Sequence, residues 1–313
     1  MENKQSLTKL YPIVQIRKDT WEIDEFDVAS LFLLIGTEKA MLIDTGMGIG
    51  DLRGAVERIT DKPIIVVHSH GHIDHTGNSR QFEEIWLHPA DQDMPIPDSV
   101  ERRRYDTERI AARQKGSIGA PYNMFNLYPY DIEIDLRDPK DEKKPIVKDL
   151  YDGQQFNLGD RIITVYECPG HTAGEVVFLD ETNRMLFAGD AINFNLGIGS
   201  VHLDTTLLAM KRIQGMSSKY DGIWNGHHDF RALGMPLDND CLENIIRILE
   251  DLMKGNASFC ECPSFWGQPM PLSKTHIGAE SNHPYAHKQT AFLRKGRNFL
   301  RIDRNYSYEK TKE

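Results

Sequence analysis

Apolar and polar positions alternate in blocks along the first part of the chain, and the blocks predict strand, helix and strand in turn. Two apolar runs flank a polar turn in SLFLLIGTEKAMLIDTG (30–46), which predicts a β-hairpin ending near Asp44. GDLRGAVERITD (50–61) is typical of a short helix, and KPIIVVHSH (62–70) of a buried strand. This order favours a layered α/β domain.

A later segment, residues 154–192, repeats that design. VVFLDETNRMLFAGD (176–190) is again two apolar runs around a polar turn, with Asp190 at its exit. The repetition suggests two similar halves. Helical periodicity follows at 203–216 and 238–255, and Gly255 is well placed to end the second helix.

Two segments fall outside this alternation. Residues of about 89–148 combine a charged helical stretch, an aromatic loop and a charged run, and residues 256–313 are rich in aromatic side chains and histidine. We therefore predict one domain over residues 1–255, with an inserted cap at about 89–148, and a C-terminal extension over 256–313. Each segment is either a lid or a surface for packing or oligomer contact.

The segment VVHSHGHIDHTGN (66–78) places a cluster of histidines directly after the predicted strand. Neutral imidazole is the commonest metal ligand in proteins. Alternate residues of an extended loop point to the same side, so His70 and His72 can converge on one ion. Asp74 and His75 would reach a second ion more easily. His68 lies on the strand itself and is interpreted as a packed or supporting residue.

Further ligands must come from elsewhere, and three later segments share one local design of strand, tight turn and candidate ligand. These are ECPGHTAGE with His171, LFAGDAI with Asp190, and GIWNGHHDF with His227 and His228. Strand ends hold side chains rigidly, as metal geometry requires. Three protein ligands plus a water molecule is the open arrangement of a catalytic zinc.

The ordered set LIDTG, HSHGHIDHTGN, CPGHTAGEV, LFAGDAI and NGHHD, over about residues 28–230, resembles the metallo-β-lactamase-fold hydrolases. The resemblance implies an αββα sandwich with helical and loop insertions, built from two pseudo-equivalent halves. The metal site would lie at one edge between the sheets.

The same resemblance implies the roles of individual residues. Apart from the resemblance, our mechanistic hypothesis is that Asp74 is catalytic, accepting and relaying a proton. Asp44, with Ser69, would not bind the metal but would orient the loop that carries the ligands. His227 is preferred to His228 because the family's ligand directly follows the glycine. The first metal would be bound by His70, His72 and His171, the second by Asp74, His75 and His227, and Asp190 would bridge the two.

A bridging aspartate is typical of the glyoxalase-like and lactonase-like branches, whereas the β-lactamases proper carry cysteine or serine there. The tyrosine of the lactonases is not evident in DAINFNLG, which has Asn193 and Phe194 instead. We expect a dinuclear zinc hydrolase of a small ester, lactone, thioester or amide, acting through a metal-bound hydroxide. Two zinc ions per chain are expected, although iron or manganese also suits these ligands.

Two alternatives stay open at this point. One is a mononuclear iron-dependent dioxygenase of the persulfide type on the same fold, and the other is a non-catalytic metal-binding sensor. The full ligand set weighs against both. Cys168, three residues before His171, is interpreted as a small buried strand residue and not as a nucleophile.

Composition and charge limit the classes of binding partner that this chain is expected to have. A net charge of −10 leaves no basic footprint for nucleic acid, and no run approaches the roughly 20 apolar residues of a membrane span. The N-terminal residues lack the apolar core of a signal peptide, and four cysteines do not form a disulfide framework in a chain of 313 residues. We expect a cytoplasmic enzyme with a small-molecule substrate, and a homodimer is compatible with the family.

Overall fold

The computed structural model describes residues 11–26, 28–95, 143–227, 231–256, 259–260, 290–295 and 298–303. Two sheets make up most of this part of the chain, and a third, smaller sheet contains four strands. Among the described residues, no helix is both long and apolar enough to cross a membrane.

The first sheet contains seven strands that follow one another in chain order. Its first four strands are antiparallel, and the remaining strands run parallel to the fourth. The hairpin predicted at 30–46 is confirmed, with Phe32 opposite Ile43. The strands are β1 (Ile13–Arg17), β2 (Thr20–Asp24), β3 (Ser30–Ile35), β4 (Ala40–Ile43), β5 (Ile64–Val67), β6 (Glu84–Leu87) and β7 (Ile146–Asp149).

Parallel strands need a crossover, and helix α1 (Leu52–Glu57) supplies the one between β4 and β5. Its N-terminus is capped by Asp51, whose Oδ1 accepts the Gly54 N–H at 3.0 Å. Helix α2 (Ile73–Thr76) is a single turn that follows β5 and carries two of the predicted metal ligands.

Residues 155–253 supply six more strands and two long helices. The elements are β8 (Gln155–Asn157), β9 (Ile162–Glu167), β10 (Val176–Asp180), β11 (Met185–Phe187), β12 (Asn195–Gly197), α3 (Leu203–Gly215), β13 (Gly222–Trp224) and α4 (Cys241–Met253). The second sheet has the order β13-β11-β10-β9-β8, and its predicted hairpin places Leu179 of β10 opposite Leu186 of β11.

Alternate side chains of the central strands enter two different cores, which defines the layers. Phe32 and Leu34 of β3 join a core between the two sheets, where they meet residues such as Phe178 and Phe187. Leu31 and Leu33 point the other way, into a core that contains Leu52 and Val56 of α1. A third core joins the far face of the second sheet to α3 and α4. The predicted αββα sandwich is thus confirmed.

The C-terminal strands β14 (Phe259–Cys260), β15 (Thr290–Lys295) and β16 (Asn298–Asp303) form a small sheet with β12, in the order β12-β16-β15-β14. β15 and β16 also contact α4. The charged and aromatic residues predicted to form a cap lie mostly outside the described residues, as do all of residues 261–289. The assignment of these segments as lids or oligomer contacts, and the domain boundary at 255, stay predictions.

Candidate metal centre

The fold brings the ends of several strands to one edge between the two sheets. β4 and β5 run parallel, as do β11 and β13, so the segments that follow them emerge at the same side of each sheet. The two sheets are joined there by hydrogen bonds from the Val176 N–H to the Ser69 carbonyl and from the Ser30 N–H to the Gly226 carbonyl. Every predicted ligand lies in one of the segments at this edge.

Three histidine rings form the first group of candidate ligands. His72 Nδ1 lies 3.0 Å from His70 Nε2 and 2.9 Å from His171 Nε2. His70 is fully buried, whereas His72 and His171 are partly exposed. The three nitrogens converge on one point although His171 is 99 residues beyond His72 in the chain.

The second group contains Asp74 and His75 of α2 together with His227. Asp74 Oδ2 lies 3.6 Å from His227 Nε2 and 3.9 Å from His75 Nε2. These ligand atoms all lie within 4.8 Å of one another. One turn of helix therefore supplies two of the three ligands.

Asp190 lies between the two groups. Its Oδ2 is 3.5 Å from His171 Nε2 in the first group and 3.2 Å from His227 Nε2 in the second. Its Oδ1 is 3.7 Å from His75 Nε2. A carboxylate in this position can contact ions held by either group.

Two buried atoms at this point have no hydrogen-bond partner, namely His75 Nε2 and Asp190 Oδ1. A buried polar group left unsatisfied costs about 1–3 kcal/mol. A cation between a nitrogen and a carboxylate oxygen would satisfy both atoms, and a set of imidazoles and carboxylates suits zinc, iron or manganese. The residues present therefore fit a metal centre.

Asp44 supports the site from behind. Its Oδ1 accepts the Ser69 N–H at 2.7 Å, and its Oδ2 accepts the Ser69 hydroxyl at 2.8 Å and lies 2.9 Å from His75 Nδ1. With Nδ1 engaged by Asp44, His75 presents Nε2 to the centre. Asp44 itself has a φ of 63°, which is uncommon for a residue other than glycine.

Backbone carbonyls orient two further rings. His171 Nδ1 is 2.7 Å from the Gly197 carbonyl oxygen of β12, and His227 Nδ1 contacts the Val28 carbonyl oxygen. Each ring therefore turns its Nε2 toward Asp190. Such partners determine both the tautomer and the direction of a ligating histidine.

The electrostatics of the first group favour neutral imidazoles. Burial lowers the pKa of His70 well below its ordinary value, and the neighbouring His75 and His72 lower it further. Burial also lowers the pKa of His72, although Asp74 opposes this shift. A neutral ring offers the lone pair that a metal ion requires.

Aspartates and a histidine in the centre shift one another's proton affinity. Burial alone would raise the pKa of Asp190, but His227 and His75 hold it well below its ordinary value. Burial alone would lower the pKa of His75, yet Asp74 and Asp44 raise it to about 9. The carboxylates are therefore ionised and attract positive charge into the site.

The sequence profile described as "Metallo-beta-lactamase superfamily" matches residues 24–229, about two thirds of the chain. The chain belongs to the metallo-β-lactamase superfamily. The described centre lies within the matched region.

Two relatives with hydrolase names match part of the chain. The human acyl-coenzyme A thioesterase MBLAC2 is 28% identical over 179 residues, which cover 52% of this chain and 58% of that protein. A hydroxyacylglutathione hydrolase of Francisella tularensis subsp. novicida is 34% identical over 169 residues, which cover 50% of this chain and 64% of that protein. The matches thus span less than two thirds of either relative.

Solved structures agree on the fold. A metallo-β-lactamase from Pontibacter korlensis aligns with a TM-score of 0.50 and 19% identity, covering 77% of this chain and 99% of that chain. At this identity the likeness concerns the architecture alone.

Two buried carboxylates beside the candidate ligands were given no role by the sequence-based prediction. Glu175 is fully buried, its Oε1 accepts the Asp190 N–H at 2.9 Å, and this oxygen lies 3.6 Å from His70 Nδ1. Asp91 is also fully buried and contacts the loops on both sides of the first group. Glu175 lies inside a motif that the sequence made visible, whereas Asp91 falls in the segment predicted to be an insertion.

Residues predicted to stay out of the centre can also be placed. His68 is fully buried, lies 3.0 Å from Ser79 Oγ through its Nε2 and belongs to neither ligand group. Cys168 is fully buried, and burial raises the pKa of its thiol. His228 lies outside the described residues.

Proposed function

We propose that this protein is a dinuclear metal-dependent hydrolase that cleaves thioesters of a small acyl carrier. The observation that carries the proposal is the position of Asp190, within 3.7 Å of ligand atoms from both groups. Six candidate ligands arranged around a seventh, the Asp190 carboxylate, favour two ions over one. For the metal we propose zinc, with iron and manganese as the alternatives.

Two bound divalent cations would polarise the substrate carbonyl and lower the pKa of a coordinated water to about 7. The chain's own groups define where a substrate approaches. His70 and His75 are fully buried and form the floor of the centre. His171, His227 and Asp74 have side chains that are 13%, 17% and 26% exposed and form its rim. A substrate therefore approaches from the rim, opposite Asp44.

Asp74 is the rim carboxylate that we assign as proton acceptor. The pKa of Asp74 is lowered, because His75 and His227 outweigh the effect of its burial. The carboxylate is thus ionised at neutral pH. Its Oδ2, which lies 3.6 Å from His227 Nε2, can take a proton and pass it to solvent.

Thioesters are favoured within the class of carbonyl substrates by the names of the two relatives. An acyl-coenzyme A and a hydroxyacylglutathione both carry an acyl group on a thiol. We also propose that the substrate is a small molecule, not nucleic acid or membrane lipid, and that the protein is a cytoplasmic homodimer.

The test begins with metal content. Protein purified without added metal should contain about two zinc ions per chain by elemental mass spectrometry, as expected for a two-metal site. Asp190→Ala should lose metal. A panel of acyl-coenzyme A and acylglutathione thioesters, with lactones and oxygen esters for comparison, should reveal thiol release that chelation abolishes and zinc restores. One iron per chain with oxygen consumption would instead support the dioxygenase.

A further inference from the structure

Asp91 lies in a single turn of 3₁₀ helix, Pro89–Asp91, shortly after β6. The turn is attached to both sheets. Asp91 donates its N–H to the His88 carbonyl at 3.0 Å, and His88 Nε2 lies 3.1 Å from Glu167 Oε1 at the end of β9. The backbone position of Asp91 is therefore determined by the framework that carries both sheets.

The Asp91 carboxylate accepts hydrogen bonds from two different loops. Its Oδ2 accepts the Gly71 N–H at 3.0 Å and the Thr172 hydroxyl at 2.6 Å. Its Oδ1 accepts the Gly174 N–H at 2.8 Å. Gly71 separates His70 from His72, and Thr172 directly follows His171. One buried carboxylate thus links the loops that carry all ligands of the first group.

The two glycines in these loops give independent support. A Cβ atom at Gly71 would lie 2.8 Å from both the Asp91 carbonyl oxygen and Met94 Sδ, and one at Gly174 would lie 2.7 Å from Asp91 Cγ. Neither glycine has a positive φ. The close approach of Asp91, not the backbone conformation, therefore excludes a side chain at both positions. The glycines of HGH and TAGE are explained by contact with the same residue.

We propose that Asp91 is a positioning residue that holds the two loops in register so that the three histidines converge on one ion. This inference rests on the metal centre proposed above. Asp91 is not a ligand, since its oxygens are occupied by loop donors behind the histidines. Metal ligands must be held within about 0.5 Å of productive geometry, and a carboxylate shared by both loops supplies that restraint.

The test uses Asp91→Asn, which has about the same volume but a single acceptor oxygen. At least one of the three hydrogen bonds from the two loops is then lost, because the amide nitrogen cannot accept one. In a His227→Ala background, which keeps the first group intact, we expect Asp91→Asn to raise the zinc Kd by about 10–100-fold, as is typical for residues that support metal ligands. In a His171→Ala background, which keeps the second group intact, the zinc Kd should change by less than about 2-fold.

Asp180→Asn is the matched control. Asp180 is equally buried and accepts hydrogen bonds from Arg161 Nε at 2.7 Å and from the Asn183 N–H at 3.1 Å, away from the candidate ligands. It should lower the Tm without changing either zinc Kd. If Asp91→Asn does not fold, Thr172→Val removes a single donor and should raise the zinc Kd of the first group by a smaller factor.

Each result separates the two proposals. If the His227→Ala protein with Asp91 intact binds no metal, both the proposed metal centre and the proposed role of Asp91 are wrong. If that protein binds zinc and Asp91→Asn binds it equally well, only the role of Asp91 is wrong. Equal weakening of both groups, or the same weakening by Asp180→Asn, would also overturn the role, because it would indicate general destabilisation.

Discussion

Arg231 and Glu22 form a buried ion pair in which two guanidinium nitrogens contact the two carboxylate oxygens, at 3.1 and 2.6 Å. The side chains are 2% and 0% exposed. Arg231 also donates to the side chain and the carbonyl of Asn225. Asn225 and Arg231 flank His227 in the chain, so the pair attaches the segment carrying this ligand to β2.

Replacing Glu22 by Gln should therefore destabilise the protein strongly. Removing one partner of a buried pair leaves an uncompensated charge and costs about 3–5 kcal/mol. We expect this loss in the free energy of unfolding from urea denaturation of the metal-free protein. The zinc Kd of the second group should also rise, because the segment around His227 loses its anchor.

Glu181→Gln is the control for this experiment. Glu181 pairs with Lys219 at 2.8 Å, but the two side chains are 51% and 43% exposed. An exposed pair contributes about 0–1 kcal/mol. Equal effects of Glu22→Gln and Glu181→Gln would contradict the role of the buried pair.

Removal of metal should lower the thermal stability. A ligand present at about 100 times its Kd stabilises the folded state by about 2.7 kcal/mol. For a domain of this size, we expect chelation to reduce the Tm by about 5–10 °C in a calorimetric or fluorescence scan. His75 Nε2 and Asp190 Oδ1 would then lose the cation that satisfies them.

The double variant His171→Ala with His227→Ala is the control for chelation, because it removes a ligand from each group. Its Tm should respond little to the chelator. A shift as large as that of the unmodified protein would mean that the chelator removes metal from elsewhere or destabilises the fold directly.

The hairpins and the ligand segments could be predicted because their signals are local. Each ligand follows an apolar strand and a turn, so a short window of sequence carries both the element and the residue. The helix predicted at 238–255 is observed as Cys241–Met253, and Gly255 follows it with a φ of 73°, as a residue that ends a helix should. Boundaries differ by a few residues because helix ends depend on capping contacts.

The supporting residues could not be predicted because their partners lie far away in the chain. Asp91 is 83 residues from Gly174, and Glu22 is 209 residues from Arg231. A single carboxylate gives no periodic signal, whether it follows a strand, as Asp91 does, or lies on one, as Glu22 does. Asp44 could be matched to a motif through the family resemblance, but its left-handed backbone could not be read from the sequence.

Cys168 should be dispensable for catalysis. The side chain is fully buried, and burial raises the pKa of the thiol, so a thiolate does not form at neutral pH. Cys168→Ala should retain metal content and turnover, with only a modest decrease in Tm. Iodoacetamide should not label Cys168 in the folded protein, as read by peptide mass spectrometry. Loss of turnover at unchanged metal content would assign a chemical role to the thiol.

Glu25 should make the stability of the metal-free protein depend on pH. Burial raises the pKa of this fully buried carboxyl group to about 8, although the backbone N–H groups of Met47, Ile49 and Gly48 oppose the shift. A folded-state pKa above the ordinary value of 4.5 means that the folded state binds the proton more tightly. The resulting stability is complete below pH 4.5 and is lost as the pH rises through 8.

Comparison of the unmodified protein with Glu25→Gln isolates this contribution, because every other titrating group is common to both. The free energy of unfolding should fall from pH 5 to pH 8 more steeply in the unmodified protein, by at most about 1.4 kcal/mol per pH unit. Urea denaturation in the presence of a chelator measures both profiles. Parallel profiles would mean that the N–H donors of residues 47–49 keep Glu25 ionised in the folded state, since an ionised carboxylate takes up no proton over this range.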